Sequence, residues 1–154
     1  MYRVGNQTVK NLQFDIVDRS ATHILPILQD MVEFIHTARF EEDGKVYVHC
    51  ACGISRAATA TIAYLMAHCG LSKEKAKLHL QKCRKIIHPN QGFEEQLTQF
   101  EKVASTLHAK LWPEDPEKVP QIQRDIKFIE DFQGVGPEGH PTRFSRLNRF
   151  KRMG

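Results

Sequence analysis

The sequence predicts an α/β fold, because short apolar runs with the character of strands alternate with amphipathic stretches of helical length. One such run, Val46-Tyr47-Val48, holds two β-branched residues and is typical of a buried strand. It leads into a short loop, and a helical stretch that begins at Arg56 follows directly. The chain has 154 residues, of which 41% are hydrophobic and 26% charged, so it can bury a sizeable core.

Two strands and a helix are predicted before this loop. Val9 to Val17 carries apolar residues loosely at every second position, which predicts a strand, and Asp18 to Ser20 forms a polar loop. Lys45 to His49 is the second predicted strand. A helix is predicted between the strands, since its apolar residues fall on one face. These residues are Ile24, Ile27, Leu28, Met31, Phe34, Ile35 and Ala38.

Four more helices are predicted after the loop. They cover Arg56 to Cys69, the stretch between Ser72 and Pro89, Phe93 to Leu111, and Gln121 to Phe132. Gly70 is expected to end the first of them as a C′ residue, and Ser72 to cap the second. We predict one folded domain over residues 1–111, followed by residues 112–154, which hold a linker, the last short helix and a basic flexible tail.

Composition narrows the class of protein. No apolar run reaches the length of a transmembrane helix, and the first ten residues lack the apolar core of a signal peptide. The four cysteines are therefore expected to be reduced thiols, and the protein to be cytoplasmic or nuclear. The net charge of +4 is too modest to indicate a nucleic-acid partner.

The loop before Arg56 combines a phosphate site with a nucleophile. A strand, a tight loop and a helix N-terminus direct several backbone N–H groups to one point, where the helix dipole also favours an anion. Arg56 adds a planar fork that matches two phosphate oxygens. In such a field the pKa of a cysteine falls from about 8.5 to roughly 3.5–7.5. Cys50 is therefore expected to be a thiolate.

The residues of this loop resemble a known family. The motif of the cysteine-dependent protein tyrosine phosphatases, His-Cys-x-x-Gly-x-x-Arg, is similar to the run formed by His49, Cys50, Gly53 and Arg56. The continuation Gly-Ile-Ser-Arg-Ala, with Ala-Tyr-Leu-Met further on, resembles the dual-specificity branch. The resemblance extends over residues 12–103 and implies a three-layer fold in which helices flank a central sheet.

The resemblance implies a role for each residue of the loop. Cys50 would attack phosphorus and form a cysteinyl-phosphate, while Arg56 would hold the phosphate oxygens. Ser55 would donate a hydrogen bond to the Cys50 sulfur and assist its departure. The phosphate-binding residues would be Ala51, Cys52, Gly53, Ile54, Ser55 and Arg56. The resemblance implies no metal ion or cofactor.

The same resemblance implies a general acid and two supporting residues. Asp18 lies 32 residues before Cys50, an offset that resembles the family's acid loop, whereas the competing Asp15 falls inside the strand pattern. His49 would support the shape of the phosphate loop. Asn90, in the run Pro-Asn-Gln-Gly-Phe, either braces that loop or belongs to a plain turn into the next helix.

The sequence departs from the family pattern upstream of Asp18. The family's domain carries further strands and a helix there, whereas 17 residues precede Asp18 in this sequence. By the family's topology the two predicted strands are not neighbours, because a strand that is missing here lies between them. We therefore predict an incomplete sheet with unpaired edges and exposed apolar surface.

These observations favour a metal-independent protein phosphatase that acts on phosphotyrosine, and on phosphoserine or phosphothreonine, in phosphorylated proteins. Two alternatives stay open: a phosphoprotein-binding module with little or no turnover, and a phosphatase for RNA 5′ ends or phosphoinositides. Residues 139–154 carry five arginines and lysines and no acidic residue. They are either a basic tail that aids solubility or a segment that binds an acidic partner or an anionic surface.

Overall fold

The computed structural model describes residues 2–4, 7–42, 44–112 and 119–132, and this part of the chain is mostly helical. Two short strands come first and pair as an antiparallel hairpin, in which Tyr2 is opposite Val9 and Val4 is opposite Gln7. The elements in chain order are β1 Tyr2–Val4, β2 Gln7–Val9, α1 Leu25–His36, a π-helical turn at Thr37–Glu41, α2 Arg56–Cys69, α3 Lys73–Cys83, α4 Gln91–Leu111 and α5 Val119–Asp131.

Helix α2 is the centre of the fold, and α1, α3, α4 and α5 all pack against it. It can be buried on most sides because many of its residues are small: Ala58, Ala63 and Ala67 are each at most 3% exposed. Small side chains let the neighbouring helices approach closely. The largest buried apolar side chains of the core are Phe93, Phe100, Leu28, Ile62, Met66, Leu97 and Val32. Burying each of them stabilises the fold by about 1.5–3 kcal/mol.

The ends of the helices follow local signals in the sequence. Gly70 ends α2 with a φ of 63°, in the left-handed region that favours glycine. The Ser72 hydroxyl caps α3 by accepting a hydrogen bond of 3.3 Å from the N–H three residues further on. Both predictions are confirmed. Helix α3 ends at Cys83, earlier than the predicted end near Pro89, because Arg84 adopts an extended backbone.

The two predicted strands are wrong in the described structure. Residues 10–17 and 44–50 have no regular secondary structure. The second segment nevertheless keeps the alternation of a strand, since Val46 and Val48 are half-buried against the core and Tyr47 between them is 84% exposed. A strand exists only when its N–H and C=O groups pair with a neighbour. The central sheet of the predicted three-layer fold is therefore not seen in the described residues.

The last described helix lies beyond the predicted domain. The pattern at Gln121 to Phe132 predicts a short helix, and α5 over Val119–Asp131 confirms it. Trp112 falls in the predicted linker but is buried, and its indole N–H donates to the His68 carbonyl at 3.0 Å. The domain boundary stays a prediction, and the basic tail lies outside the described residues. No helix in the described ranges combines the length and the apolar character needed to cross a membrane.

Candidate active site

The loop before α2 gathers backbone N–H groups around one sulfur atom. The Gly53 N–H donates to Cys50 Sγ at 3.2 Å. Burial acts to raise the pKa of Cys50, but the N–H groups of Ala57, Gly53 and Cys52 outweigh it together with the charge of Arg56. The pKa of Cys50 therefore lies below that of an ordinary thiol. This environment favours a thiolate at Cys50.

A glycine and a neighbouring segment hold the shape of the loop. Gly53 has a φ of 65°, a left-handed conformation that a residue with a Cβ rarely adopts. The segment after α3 runs alongside, and the Arg84 guanidinium donates to the Cys52 carbonyl at 3.4 Å. The His88 N–H donates to the Ile54 carbonyl at 2.9 Å. Because α3 ends early, the segment that follows it lies alongside the loop and donates hydrogen bonds to its carbonyl groups.

The Arg56 side chain extends from the first turn of α2 toward the segment that carries Asp18. Its guanidinium NH1 donates to the Ile16 carbonyl at 3.0 Å, and its Nε is 3.5 Å from Asp18 Oδ2. That Nε is buried and makes no hydrogen bond within the described part of the chain. The Ile16 carbonyl and Asp18 therefore hold the Arg56 guanidinium beside the acid segment in this structure.

Asp18 is the centre of a small hydrogen-bond network. Its Oδ1 accepts from the Ser55 hydroxyl at 2.8 Å and from the Asn90 side-chain amide at 2.8 Å. The Ser55 oxygen in turn accepts from the Asn90 backbone N–H at 3.1 Å. A serine hydroxyl carries one proton, so in this structure Ser55 does not donate to the Cys50 sulfur as the sequence predicts. The carboxylate is a strong acceptor, and the Asn90 N–H holds the Ser55 oxygen beside it.

The two predicted supporting residues differ in what they contact. Asn90 caps α4, since its Oδ1 accepts from the Phe93 N–H at 3.0 Å, and it also belongs to the network around the acid. The Asn90 backbone N–H also donates to the Ser55 oxygen of the loop, and a supporting role for Asn90 stays a prediction. The His49 ring is exposed and stacks on Tyr47, with ring centroids 5.2 Å apart. Asp15, the competing acid, is exposed and takes no part in this network.

A buried glutamine on α4 ties that helix to the segment that follows Asp18, and the sequence patterns do not single it out. The Gln96 side-chain oxygen accepts from the N–H groups of Ile24 and Leu25 at 2.7 and 3.0 Å. Its amide donates to the carbonyls of Thr22 and Gly92 at 2.9 and 3.0 Å. The signal that points to it is a polar residue among the apolar residues of a helix face.

Gly92 lets α4 lie directly against the segment that follows Asp18. A Cβ at this position would be 1.9 Å from the Ser20 carbonyl oxygen and 2.7 Å from the Ser20 Cα, so only a glycine fits without a shift of the backbone. Gly92 also follows Asn90 by two residues, and both belong to the start of α4. The first turn of α4 therefore contacts both Asp18 and the segment that follows it.

The structure brings the predicted nucleophile, arginine, serine and acid together at the N-terminal ends of α2 and α4. This arrangement can bind an oxyanion at the loop N–H groups, present a thiolate to it and place a carboxyl group beside it. His49 lies outside the group. Within the described ranges, no set of three or more His, Cys, Asp or Glu side chains is placed to hold a metal ion.

The loop of N–H groups around Cys50, at the N-terminus of α2, holds the residues that resemble the phosphatase motif. The family model of the dual specificity phosphatase catalytic domain matches residues 2–103. The match covers well over half of the chain, so the chain belongs to this family.

Individual relatives agree with this assignment. Protein phosphatase Slingshot homolog 1 of Homo sapiens is 31% identical over 160 aligned residues, which cover 86% of this chain and 15% of that protein. Putative tyrosine phosphatase 123R of Invertebrate iridescent virus 6 is 40% identical over 101 residues, 65% of this chain and 70% of the viral protein. The chain therefore spans only a small part of the length of the Slingshot relative.

A solved structure supports the fold as well. The crystal structure of human tyrosine phosphatase-like serine/threonine/tyrosine-interacting protein superposes with a TM-score of 0.61 and 34% sequence identity. The superposition covers 66% of this chain and 67% of that chain. The fold is thus that of the protein tyrosine phosphatases, although the described residues lack the central sheet.

Proposed function

We propose that this protein is a dual-specificity protein phosphatase that works through a cysteinyl-phosphate on Cys50. The observation that carries the proposal is the ring of N–H donors around Cys50 Sγ, which lowers the pKa of the thiol and forms a cradle for phosphate. Membership of the family supports protein phosphatase activity. The proposed substrates are phosphotyrosine, phosphoserine and phosphothreonine in proteins.

In the first step the Cys50 thiolate attacks phosphorus, so that an S–P bond forms and the bond to the substrate oxygen breaks. Asp18 gives a proton to that leaving oxygen, a transfer that typically contributes about 10²–10⁴-fold. The loop N–H groups and the Arg56 fork hold the phosphate oxygens, on which transition-state charge is spread. To hold them, the Arg56 fork would exchange its contacts with the Ile16 carbonyl and Asp18 for contacts with the phosphate oxygens.

In the second step water attacks phosphorus, the S–P bond breaks, and inorganic phosphate and the thiolate are released. Asp18, now ionised, takes a proton from the attacking water. The N–H groups around Cys50 favour the departing thiolate for the same reason that they lower its pKa. Ser55 can assist this departure only when its proton is no longer donated to Asp18.

Turnover of an aryl phosphate by the purified protein tests the proposal. We expect Cys50→Ser to abolish turnover and to leave phosphopeptide binding in place. Cys52→Ser is the matched control: Cys52 is exposed and close by, and its implied contribution is its backbone N–H. Because the pKa of Cys50 is lowered, its thiolate and its alkylation by iodoacetamide should persist to lower pH than for an ordinary thiol. Equal turnover by the wild type and Cys50→Ser would rule out this mechanism.

A phosphoprotein-binding module is the second candidate. Arg56 is engaged by the Ile16 carbonyl and lies against Asp18, and a solved relative is named a tyrosine phosphatase-like interacting protein. Absence of turnover by the wild type, together with phosphopeptide binding that Arg56→Ala removes, would favour this candidate over the enzyme.

Phosphorylated proteins are the proposed partners, and the cytoplasm or the nucleus is the proposed location. Binding of an acidic partner or an anionic surface by residues 139–154 concerns a part of the chain outside the described residues and stays a prediction. Its physical basis is the excess of basic residues in that stretch, so any such binding should weaken as salt rises.

A further inference from the structure

Helix α5 covers a histidine that is buried at the C-terminal end of α2. His68 is 1% exposed, and its Nε2 is 2.8 Å from Asp125 Oδ2 on α5. Asp125 is also 3.5 Å from the Arg39 guanidinium, which donates to the Tyr64 hydroxyl at 3.0 Å. This polar contact joins α5 to α2 and to the π-helical turn.

The second ring nitrogen of His68 has no hydrogen-bond acceptor among the described residues. Its Nδ1 is buried and without a hydrogen-bond partner among the described residues. The ring is surrounded by those of Tyr64, Phe40 and Trp112, at centroid distances of 5.1, 4.9 and 5.0 Å. A neutral ring that donates from Nε2 to Asp125 fits this site. A further proton would place an N–H at Nδ1 where nothing accepts it, and a buried unsatisfied donor is costly.

A second histidine lies under α5 on the side of α3. The centroid of the His79 ring is 6.5 Å from that of Phe128 and 5.4 Å from that of Phe132. Lys82 donates to the Phe132 carbonyl at 3.4 Å. Burial, and then the charge of Lys82, lower the pKa of His79 against a raising contact with the Ile129 backbone. Two histidines that favour the neutral form thus lie beneath one helix.

We propose that α5 is a pH-released helix, which docks on α2 and α3 while His68 and His79 are neutral and detaches when they take up protons. The helix lies beyond the matched family domain, which ends at residue 103, so the device is separate from the phosphatase chemistry. Its release uncovers the face of α2 and α3 beneath it.

The ionisable groups around the two histidines decide the direction of the effect. Burial lowers the pKa of His68 more than contact with Asp125 raises it. Burial acts to raise the pKa of Asp125, but His68 and Arg39 outweigh it and the pKa is lowered. The pKa values of Tyr64 and Cys69 are raised to about 12 by burial, so both stay neutral. The groups near His68 are Arg39, Tyr64, His36, His108 and Asp125, and those near His79 are Lys82 and Cys83. Cys69 lies near Asp125 and Arg39.

The sign of the pH effect follows from these shifts. In the docked state the pKa values of His68 and His79 are lowered, whereas in the released state they return toward the usual value of about 6.5. The released state therefore binds more protons as the pH falls below that value, and docking is strongest above it. Each proton taken up weakens docking by up to about tenfold per pH unit.

Hydrogen exchange of the full chain tests the proposal. Amide protection of α5 is measured by mass spectrometry at about pH 7.5 and about pH 5.5, corrected for intrinsic rates, with α4 as the internal reference. We expect α5 to lose protection by about tenfold or more at the lower pH while α4 stays protected. Fluorescence of Trp112, the single tryptophan, should follow the same transition. Equal protection of α5 at both pH values would overturn the proposal.

Three variants should shift the pH of release, two of them to lower pH and one to higher pH. His68→Gln keeps a donor for Asp125 and cannot gain a proton, so release should move to lower pH. Asp125→Asn weakens docking, so release should move to higher pH, and His79→Gln should act like His68→Gln. The control is His23→Gln, because His23 is exposed in the segment before α1 and is not among the groups that act on His68 or His79. Shifts in one direction for all variants, or an equal shift in the control, would show the proposal to be wrong.

If His68→Gln does not fold, Asp125→Asn and His79→Gln still test the proposal. Asp125 and His79 are partly exposed, so their variants are expected to leave the core intact. If both fold and neither changes the pH of release, the histidines do not control α5 and the proposal fails.

Discussion

The two segments that lead into the candidate active site are held in different ways. The acid segment, residues 18–25, is tied to α4 by the hydrogen bonds of the buried Gln96. The nucleophile segment, residues 44–50, rests on the core through half-buried Val46 and Val48. Hydrogen bonds are directional, whereas apolar contacts are not. Asp18 and its segment are therefore held by directional hydrogen bonds to distant residues, whereas Cys50 is held mainly by the loop N–H groups that follow it.

Among variants of the two segments, Asp18→Asn is expected to have the largest effect, and this effect is on the rate of hydrolysis. The amide oxygen can still accept from Ser55 and Asn90, but the side chain cannot give up a proton to a leaving group. Hydrolysis of phosphopeptides should fall by about 10²–10⁴-fold, while activated aryl phosphates should lose far less, because their leaving groups need no proton. The control is Asp15→Asn at an exposed site. Equal losses on both substrates would point to a structural role for Asp18.

The next largest effect, on the free energy of unfolding, is expected from Gln96→Leu. This change removes the side-chain amide that binds the acid segment and keeps a similar side-chain volume. The N–H groups of Ile24 and Leu25 would lose their partner, and each buried unsatisfied group costs about 1–3 kcal/mol. We expect the free energy of unfolding in urea to fall by about 3 kcal/mol. Gln99→Leu, at an exposed position of the same helix, should change it by less than about 0.5 kcal/mol. Equal stability of the two variants would mean that Gln96 does not hold the acid segment.

The smallest effect is expected from Tyr47→Ser in the nucleophile segment. Tyr47 is 84% exposed, and its ring stacks on the exposed His49, so the free energy of unfolding should change by less than about 0.5 kcal/mol. Val48→Ser, one position further on and half-buried, should cost about 1–2 kcal/mol by loss of apolar burial. A larger cost for Tyr47→Ser than for Val48→Ser would mean that the outer face of this segment is covered.

Helices and their ends are the part of the fold that could be predicted. The apolar period of α1, α4 and α5, the glycine at the end of α2 and the serine cap of α3 are local signals. Each of them acts within a few residues of the chain, so no knowledge of the remainder is needed. The loop from Cys50 to Arg56 is of the same kind, because its N–H groups and its arginine are neighbours in sequence.

The tertiary structure decided what depends on a partner far along the chain. Residues 10–17 and 44–50 have strand-like patterns but no strand, because a ladder requires a neighbour that the described residues do not supply. The proton of Ser55 goes to Asp18, 37 residues away, since a carboxylate brought there by the fold is a better acceptor than the sulfur close in sequence. Gln96 holds the acid segment because a buried polar group needs hydrogen-bond partners. Its partners on the acid segment are distant in sequence and are brought near by the packing of the helices. The sequence alone thus determined the helices and the loop from Cys50 to Arg56, whose interactions are local, whereas packing determined how Asp18 is held.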